Sequence, residues 1–223
     1  MKAVIFDMFE TLVSLFHGRT YFSEDIAKDL GIPEEEFRTA WHATEYARTI
    51  GQYTMEEGVS LSLKAIGRYS EEAVRLVVEK RLAALTDTFQ SIPEETFALL
   101  TELRQRGLYV GLISNCFSDE CALMQASPLY QYFDTTKLSY EQGIAKPEQT
   151  IFFRAIDELG IEPEDCLYVG DGGSGELEAA TAIGMKAVQA QWFRKGFYEP
   201  HVPCPVKTEF AQAQHWQDVL KYL

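Results

Sequence analysis

At 223 residues and 25.3 kDa the chain can bury a sizeable core, as one domain or as two small ones. Apolar residues make up 46% and charged residues 24%, an ordinary soluble globular balance. The formal charge of −14, with no basic cluster to offset it, argues against a nucleic-acid partner and requires a local cation wherever an anionic substrate binds.

Ala3 to Phe6 has the length and β-branched character of a strand buried on both faces, and it ends in Asp7. From about Phe16 to Leu85 the periodicity is helical, with no convincing strand. Ser23 to Leu30 is predicted as a helix closed by Gly31. Pro33-Glu34-Glu35-Glu36 opens a second, with Pro and acids where a helix start favours them, and Phe37, Trp41 and Ala47 share one face. Met55 to Ile66 is a third. Ser70 caps a fourth, on which Val74, Val77, Val78, Leu82 and Leu85 recur at three and four residues. This all-helical insertion of roughly seventy residues is long enough for a small domain. The expected division is a core of residues 1–15 and 89–223 with an insert over 16–88.

The α/β pattern then resumes. Pro93 to Arg106 is an amphipathic helix with Phe97, Leu100 and Leu103 inward and Gly107 ending it. Leu108 to Ile113 is a second buried strand, followed at once by Ser114-Asn115, and a helix is predicted near Asp119 to Ala126. A looser stretch holds Phe133-Asp134 and Lys146-Pro147 before a helix over Gln149 to Leu159, closed by Gly160. Asp165 to Val169 is the third clear strand, ending in Gly170-Asp171. Glu176 to Ile183 is helical, Met185 to Ala190 a short strand, and His215 to Leu223 a last helix. Strands alternating with helices imply an α/β fold with a parallel, doubly wound, Rossmann-like sheet. The insert leaves this sheet directly after Asp7, so it should lie over the strand ends as a lid.

In open α/β sheets ligands bind beyond the carboxyl ends of the strands. Asp7, Ser114 and Asp171 end the three strong strands, so a parallel sheet brings them to one edge, within reach of Lys146 in its loop. Alone, Asp7 is as readily a residue that ends a strand or caps a turn; the three later segments decide. Two carboxylates, a hydroxyl and an ammonium make a site for a phosphoryl group and Mg²⁺, which prefers hard oxygen ligands. Asp7 is placed to attack phosphorus and form an aspartyl phosphate. Ser114 and the amide of Asn115 are candidates for the phosphoryl oxygens, with Lys146 offsetting charge between the acids.

At these residues the chain resembles the haloacid dehalogenase-like hydrolases, over nearly its whole length. Asp7-Met8-Phe9-Glu10-Thr11-Leu12 resembles their nucleophile motif, Ile113-Ser114-Asn115 the second motif, Lys146-Pro147 the third, and Gly170-Asp171 with Glu176 the fourth. An insert between the first and second motifs is that family's helical cap. The resemblance implies Asp7 as nucleophile, Thr11 and Ser114 as phosphate or orientation contacts, and Lys146 as charge neutraliser. It implies Asp171 as metal ligand beside Asp7, with the backbone carbonyl of Phe9, two residues after the nucleophile, as a further ligand.

Phe9 departs from the family pattern. Most phosphatase members carry a second Asp there as general acid and base, and losing such a group typically costs about 10²- to 10⁴-fold, most for poor leaving groups. Glu10 stands where Gly is common; as a proton source it is disfavoured, because neighbouring side chains of an extended segment point opposite ways. Haloacid dehalogenases also lack the second Asp, expel halide without a proton, and need no metal. Against them, Gly170-Asp171 resembles the metal-binding form of the fourth motif, and Asp171 without a metal would face Asp7 and raise its pKa to no purpose. Metal-dependent chemistry is favoured.

The remaining features carry less. Gly170 to Gly175 lacks the Lys and spacing of a P-loop and reads as flexible backbone around a metal ligand. Glu176 either orients Lys146 or a metal-bound water, or is a solvated acid at a helix start. Arg19 reads as a surface residue in preference to an anion binder, and Phe37, Trp41 and Tyr46 as core of the insert. His17, His42, His201 and His215 show no ligand spacing and take no role. Cys116, Cys121, Cys166 and Cys204 fit no close zinc pattern, so free, mostly buried thiols in a reducing cytoplasm are expected. Met1-Lys2-Ala3 opens no signal peptide and no run of about 18 apolar residues occurs, so no membrane partner is expected. A monomer and a homodimer are equally compatible. The expected activity is a Mg²⁺-dependent phosphatase acting on a small phosphorylated metabolite through Asp7. The alternatives are a 2-haloacid dehalogenase, using an insert Arg for the substrate carboxylate, and a non-catalytic relative that binds a phosphorylated ligand or a partner protein.

Overall fold

A computed structural model of the chain describes residues 1–194 and 204–223. From β1 (Ala3–Phe6) the chain leaves the sheet for α1 (Ser23–Leu30), α2 (Glu34–Ala43), α3 (Glu45–Thr49), α4 (Met55–Ala65) and α5 (Glu71–Gln90). It returns through α6 (Glu94–Gln105), β2 (Tyr109–Ser114), α7 (Ser118–Ala126), β3 (Thr135–Leu138), α8 (Ser139–Gln142) and α9 (Gln149–Leu159). β4 (Cys166–Gly170), α10 (Glu176–Ala182), β5 (Lys186–Ala190) and β6 (Ala211–Ala213) follow, and a 3₁₀ stretch over Trp216–Tyr222 ends the chain. The strands form one sheet in the order β3-β2-β1-β4-β5-β6, with every neighbouring pair parallel. This is the Rossmann-like α/β architecture.

The pleat of β1 splits its side chains between two cores. Val4 and Phe6 join Leu99, Leu100, Leu103, Leu112, Met124 and Val169 on the face that carries α6 and α7. Ala3 and Ile5 join Ile151, Phe152, Tyr168 and Leu177 on the face that carries α9 and α10. Burial on both faces explains why β1, β2 and β4 read as unbroken apolar runs. β3 and β6, absent from the sequence reading, occupy the sheet edges. Thr135-Thr136-Lys137-Leu138 is half-buried and polar, and β6 is only three residues long, so neither has a core strand's pattern.

The helices between β1 and α6 have their own core of Tyr21, Ile26, Phe37, Met55, Val59, Leu63, Val74, Val77 and Ala84. The Ser70 hydroxyl accepts from the N–H of Ala73 at 3.1 Å, as its cap position requires. Three details differ from expectation. The helix of Phe37 and Trp41 stops at Ala43 and restarts as α3, where Thr44 donates its hydroxyl to the Trp41 carbonyl at 3.0 Å. Leu82 is 45% exposed, because the buried stripe of α5 runs through Arg81, which reaches Asp119 and Glu120 on α7. The final helix is a 3₁₀ stretch. Among the described residues no helix is long and apolar enough to cross a membrane, and the four cysteines are free thiols, all buried.

Candidate active site

The register of the sheet assembles the site. Phe6 stands level with Leu112 on one side and Val169 on the other, so Asp7 falls one residue short of Ser114 and Asp171. The N–H of Asp7 donates to the Val169 carbonyl at 2.9 Å, and its side chain is buried. Beyond it the chain folds into a compact turn, with the N–H groups of Leu12 and Val13 both donating to the Met8 carbonyl. Within this turn Glu10 has φ +54°, the left-handed conformation that glycine adopts freely. The expectation of an extended segment is therefore wrong here. Glu10 is held by its own carboxylate, which accepts from the Ser14 hydroxyl at 2.8 Å and the Leu15 N–H at 2.7 Å. Burial raises it to about 7 against those two bonds, with the charges of Asp171 and Asp7 adding to the rise. The ring of Phe9 packs edge-on against Phe89, so no proton-transfer group stands at that position. The Thr11 carbonyl accepts from the indole N–H of Trp192 at 2.9 Å, while its buried hydroxyl has no partner among the described residues.

Lys146 lies within the same cluster. Its Nζ donates to Asp7 Oδ1 at 2.6 Å and to the Tyr168 hydroxyl at 3.2 Å, with the ammonium almost wholly enclosed. Asn115 fixes its backbone: Nδ2 donates to the Lys146 carbonyl at 3.0 Å, and Oδ1 accepts from the Lys146 N–H at 2.8 Å. The side-chain amide of Asn115 is thereby turned onto the Lys146 main chain. Ser114 is fully buried, its hydroxyl 3.3 Å from the Asn115 carbonyl. Glu176 is not a solvated acid. It is fully buried, and its carboxylate accepts from the N–H groups of Gly172 and Ser174, each at 2.7 Å, clamping the glycine-rich loop. Asp171 Oδ1 accepts from Gly173 at 3.0 Å.

The haloacid dehalogenase-like hydrolase family model matches residues 1–184. The chain belongs to this family. Among relatives, the N-acylneuraminate-9-phosphatase of Rattus norvegicus is 29% identical over 62% of this chain, which spans about half (53%) of that protein's length. The phosphoserine phosphatase of Thermus thermophilus is 25% identical over 88% of this chain and 90% of its own. A 2-haloacid dehalogenase structure from Pseudomonas syringae superposes with a TM-score of 0.69 at 20% identity, covering 99% of this chain and 97% of that one, a likeness of fold alone.

In this haloacid dehalogenase-like chain, carboxylate oxygens of Asp7, Asp171 and Glu176 all lie within 4.8 Å of one another, buried. Burial raises the Asp7 carboxyl to about 7; Lys146 opposes the rise, and Glu176 and Asp171 add to it. Burial pulls the Lys146 ammonium down, but the negative charges of Asp7 and Glu176 raise it further than that, so it stays protonated. A single ammonium among three carboxylates leaves an excess of negative charge that a hard divalent cation would neutralise. The donor set fits Mg²⁺. Both Glu176 oxygens hold the glycine-rich loop, which sets that carboxylate beside Asp7 and Asp171.

Several expected residues lie elsewhere. Arg19 is exposed, 3.7 Å from Asp87. Phe37 and Trp41 stack in the insert as expected, but Tyr46 is 62% exposed, its hydroxyl 3.4 Å from Glu148, two residues beyond Lys146. His42 pairs with Glu45 at 2.7 Å, and His201 lies outside the described residues. Tyr168 was missed, although a tyrosine inside a fully apolar strand signals a buried hydroxyl with a partner. Gln189 and Cys204, which both donate to the Asp171 carbonyl (2.7 and 3.0 Å), gave no local signal.

Proposed function

We propose that the chain is a Mg²⁺-dependent phosphatase that cleaves a small phosphorylated metabolite through a covalent Asp7 intermediate. The observation that carries this reading is the buried cluster in which Lys146 bonds one oxygen of Asp7 while Asp171 and Glu176 stand within 4.8 Å. Lys146 occupies Oδ1, so Oδ2 attacks phosphorus; the bond to the leaving oxygen breaks and an aspartyl phosphate remains on Asp7. Water then attacks that phosphorus, releasing phosphate and restoring the carboxylate. The Thr11 and Ser114 hydroxyls and the Asn115 N–H meet the phosphoryl oxygens, and Lys146 neutralises charge between them and Asp7. Asp7, Asp171 and the Phe9 carbonyl would hold Mg²⁺, with Glu176 in support. Bound there, the ion supplies Lewis-acid stabilisation of the phosphoryl group.

With Phe9 in the acid position, the leaving oxygen receives no proton from that residue, and esters of acidic alcohols and acyl phosphates should react fastest. Residues 16–88 act as a lid over the site: α3 reaches the loop beyond Lys146 through Tyr46, and Gly51, just after it, packs against the Tyr140 carbonyl. The phosphatase names of the relatives support this reading, and the buried free thiols are in keeping with a cytoplasmic location.

The aromatic residue at position 9 favours a second reading, displacement of halide from carbon by the same Asp7. The test is phosphate release from p-nitrophenyl phosphate and acetyl phosphate, with Mg²⁺ and with chelator, beside Asp7→Asn. Chelator-sensitive release that falls below about a tenth in the variant is expected. Absence of release, with halide freed from a 2-haloacid, would replace the phosphatase by the second reading.

A further inference from the structure

Gln189 is fully buried near the end of β5, level with Gly170 of β4 and so one residue short of Asp171. Its strand neighbours Val188 and Ala190 join the core on the α6 side, and the pleat turns Gln189 away from it. A buried amide is costly unless its donors and acceptors find partners. Those of Gln189 do. Nε2 donates to the Asp171 carbonyl at 2.7 Å and to the Pro205 carbonyl at 3.0 Å. Oε1 accepts from the Lys207 N–H at 2.8 Å and from Gln191 Nε2 at 3.4 Å. Cys204 Sγ donates to the same Asp171 carbonyl at 3.0 Å.

The peptide that joins Asp171 to Gly172 is thereby gripped at both poles. Gln189 and Cys204 hold its carbonyl, and its N–H donates to Glu176 Oε1 at 2.7 Å. Rotating this peptide plane would break bonds on both sides, so the direction in which Asp171 presents its carboxylate is fixed from behind. Gly172 makes the grip possible: its φ is +95°, and a Cβ there would lie 3.0 Å from Gln189 Nε2 and 3.4 Å from Lys207 Cδ. Lys207 Nζ also bonds Glu178 of α10 at 2.6 Å, so residues 204–207 tie the loop to both β5 and α10.

The charges of the cluster give this grip a purpose. Without a cation, Asp7, Asp171 and Glu176 repel one another across less than 4.8 Å. Asp7 follows β1 and Glu176 opens α10, whereas Asp171 lies on the glycine-rich loop between β4 and α10, the most deformable of the three supports. A loop free to yield would carry Asp171 outward in the metal-free protein, and bringing it back would weaken binding of the ion. We propose that Gln189 is a positioning residue for the cation: through the Asp171–Gly172 peptide it holds the Asp171 carboxylate in its binding position before the metal arrives. This rests on the Mg²⁺ site proposed above.

The test is calorimetric titration of Mg²⁺ into wild type, Gln189→Met and Gln191→Met. Gln189→Met keeps the length of the side chain and removes its amide, so Mg²⁺ affinity should fall by about 10- to 100-fold, the range for a partner that orients a metal ligand. Gln191→Met is the control. It removes a second buried amide of the same network, bonded to Gln189 and Gln212 but not to the Asp171 loop. It should lower the melting temperature and leave Mg²⁺ affinity unchanged. In chelator, hydrogen exchange at the Gly172 amide should be faster in Gln189→Met than in Gln191→Met. Wild-type affinity in Gln189→Met, or an equal loss in both variants, overturns the assignment and leaves the metal site standing. A wild type that binds no Mg²⁺ overturns the metal site, and the assignment with it. If Gln189→Met fails to fold, Gln189→Asn, which withdraws the amide by one methylene, should weaken Mg²⁺ binding in the same sense, and wild-type affinity there overturns the assignment equally.

Discussion

Replacing Asp171 by Asn should stabilise the metal-free protein while removing its response to Mg²⁺. In the folded chain, Asp171 contributes a buried negative charge within 4.8 Å of carboxylate oxygens of Asp7 and Glu176. At an effective dielectric constant of about 20, that separation corresponds to roughly 3.5 kcal/mol of repulsion per pair. Lys146 offsets part of this and protonation near pH 7 offsets more, so the expected gain in chelator is about 1–3 kcal/mol. Asn can retain the bond that Asp171 Oδ1 accepts from the Gly173 N–H. For a chain of this length the gain corresponds to a melting temperature higher by roughly 2–10 °C. Thermal unfolding at about pH 8, in chelator and in Mg²⁺, measures both effects. In Mg²⁺ the order reverses, because the wild type gains binding free energy that the variant lacks. A variant less stable than wild type in chelator, or one that Mg²⁺ stabilises equally, would refute the electrostatic account of the cluster.

In chelator, stability should fall as pH rises between roughly 5 and 7.5, since Asp7 and Glu10, each raised to about 7, hold protons in the folded state that the unfolded chain gives up near pH 4. The added stability from Mg²⁺ should correspondingly be larger at about pH 8 than at about pH 6, as calorimetry at the two values would register. Asn115→Ala removes both bonds to the Lys146 main chain (2.8 and 3.0 Å) and should lower kcat by roughly ten- to a hundredfold with little change in KM; a variant with wild-type kcat shows Lys146 is held without it. Arg81→Met leaves the buried Glu120 and the half-buried Asp119 without their partner and should cost about 3–5 kcal/mol in denaturant unfolding. The further variant Glu120→Gln in that background should recover part of this, and additivity would mean the pair does not couple.

The local pattern along the chain was enough to place the strands that are buried on both faces and the helices with clear caps and stripes. Ala3–Phe6 shows its apolar run in any reading frame, and Gln149–Leu159 with Gly160 behind it shows both its face and its end. Because parallel strands carry the residues that follow them to one edge, Asp7, Ser114 and Asp171 are legible as neighbours from the strand pattern alone. What the pattern could not show were features set by polar contacts that exist only once the chain is folded. Glu10 turns left-handed because Ser14 and Leu15 hold its carboxylate, not because its own type favours it. Arg81 displaces Leu82 from the buried stripe of α5 because its partners arrive 38 and 39 residues later. Tyr168, an apolar strand position by its neighbours, becomes an anchor for Lys146 across 22 residues. Periodicity reports which side of an element is buried; which polar group meets which is decided only when separate elements pack, since a buried donor or charge has no energy of its own until its partner is in place.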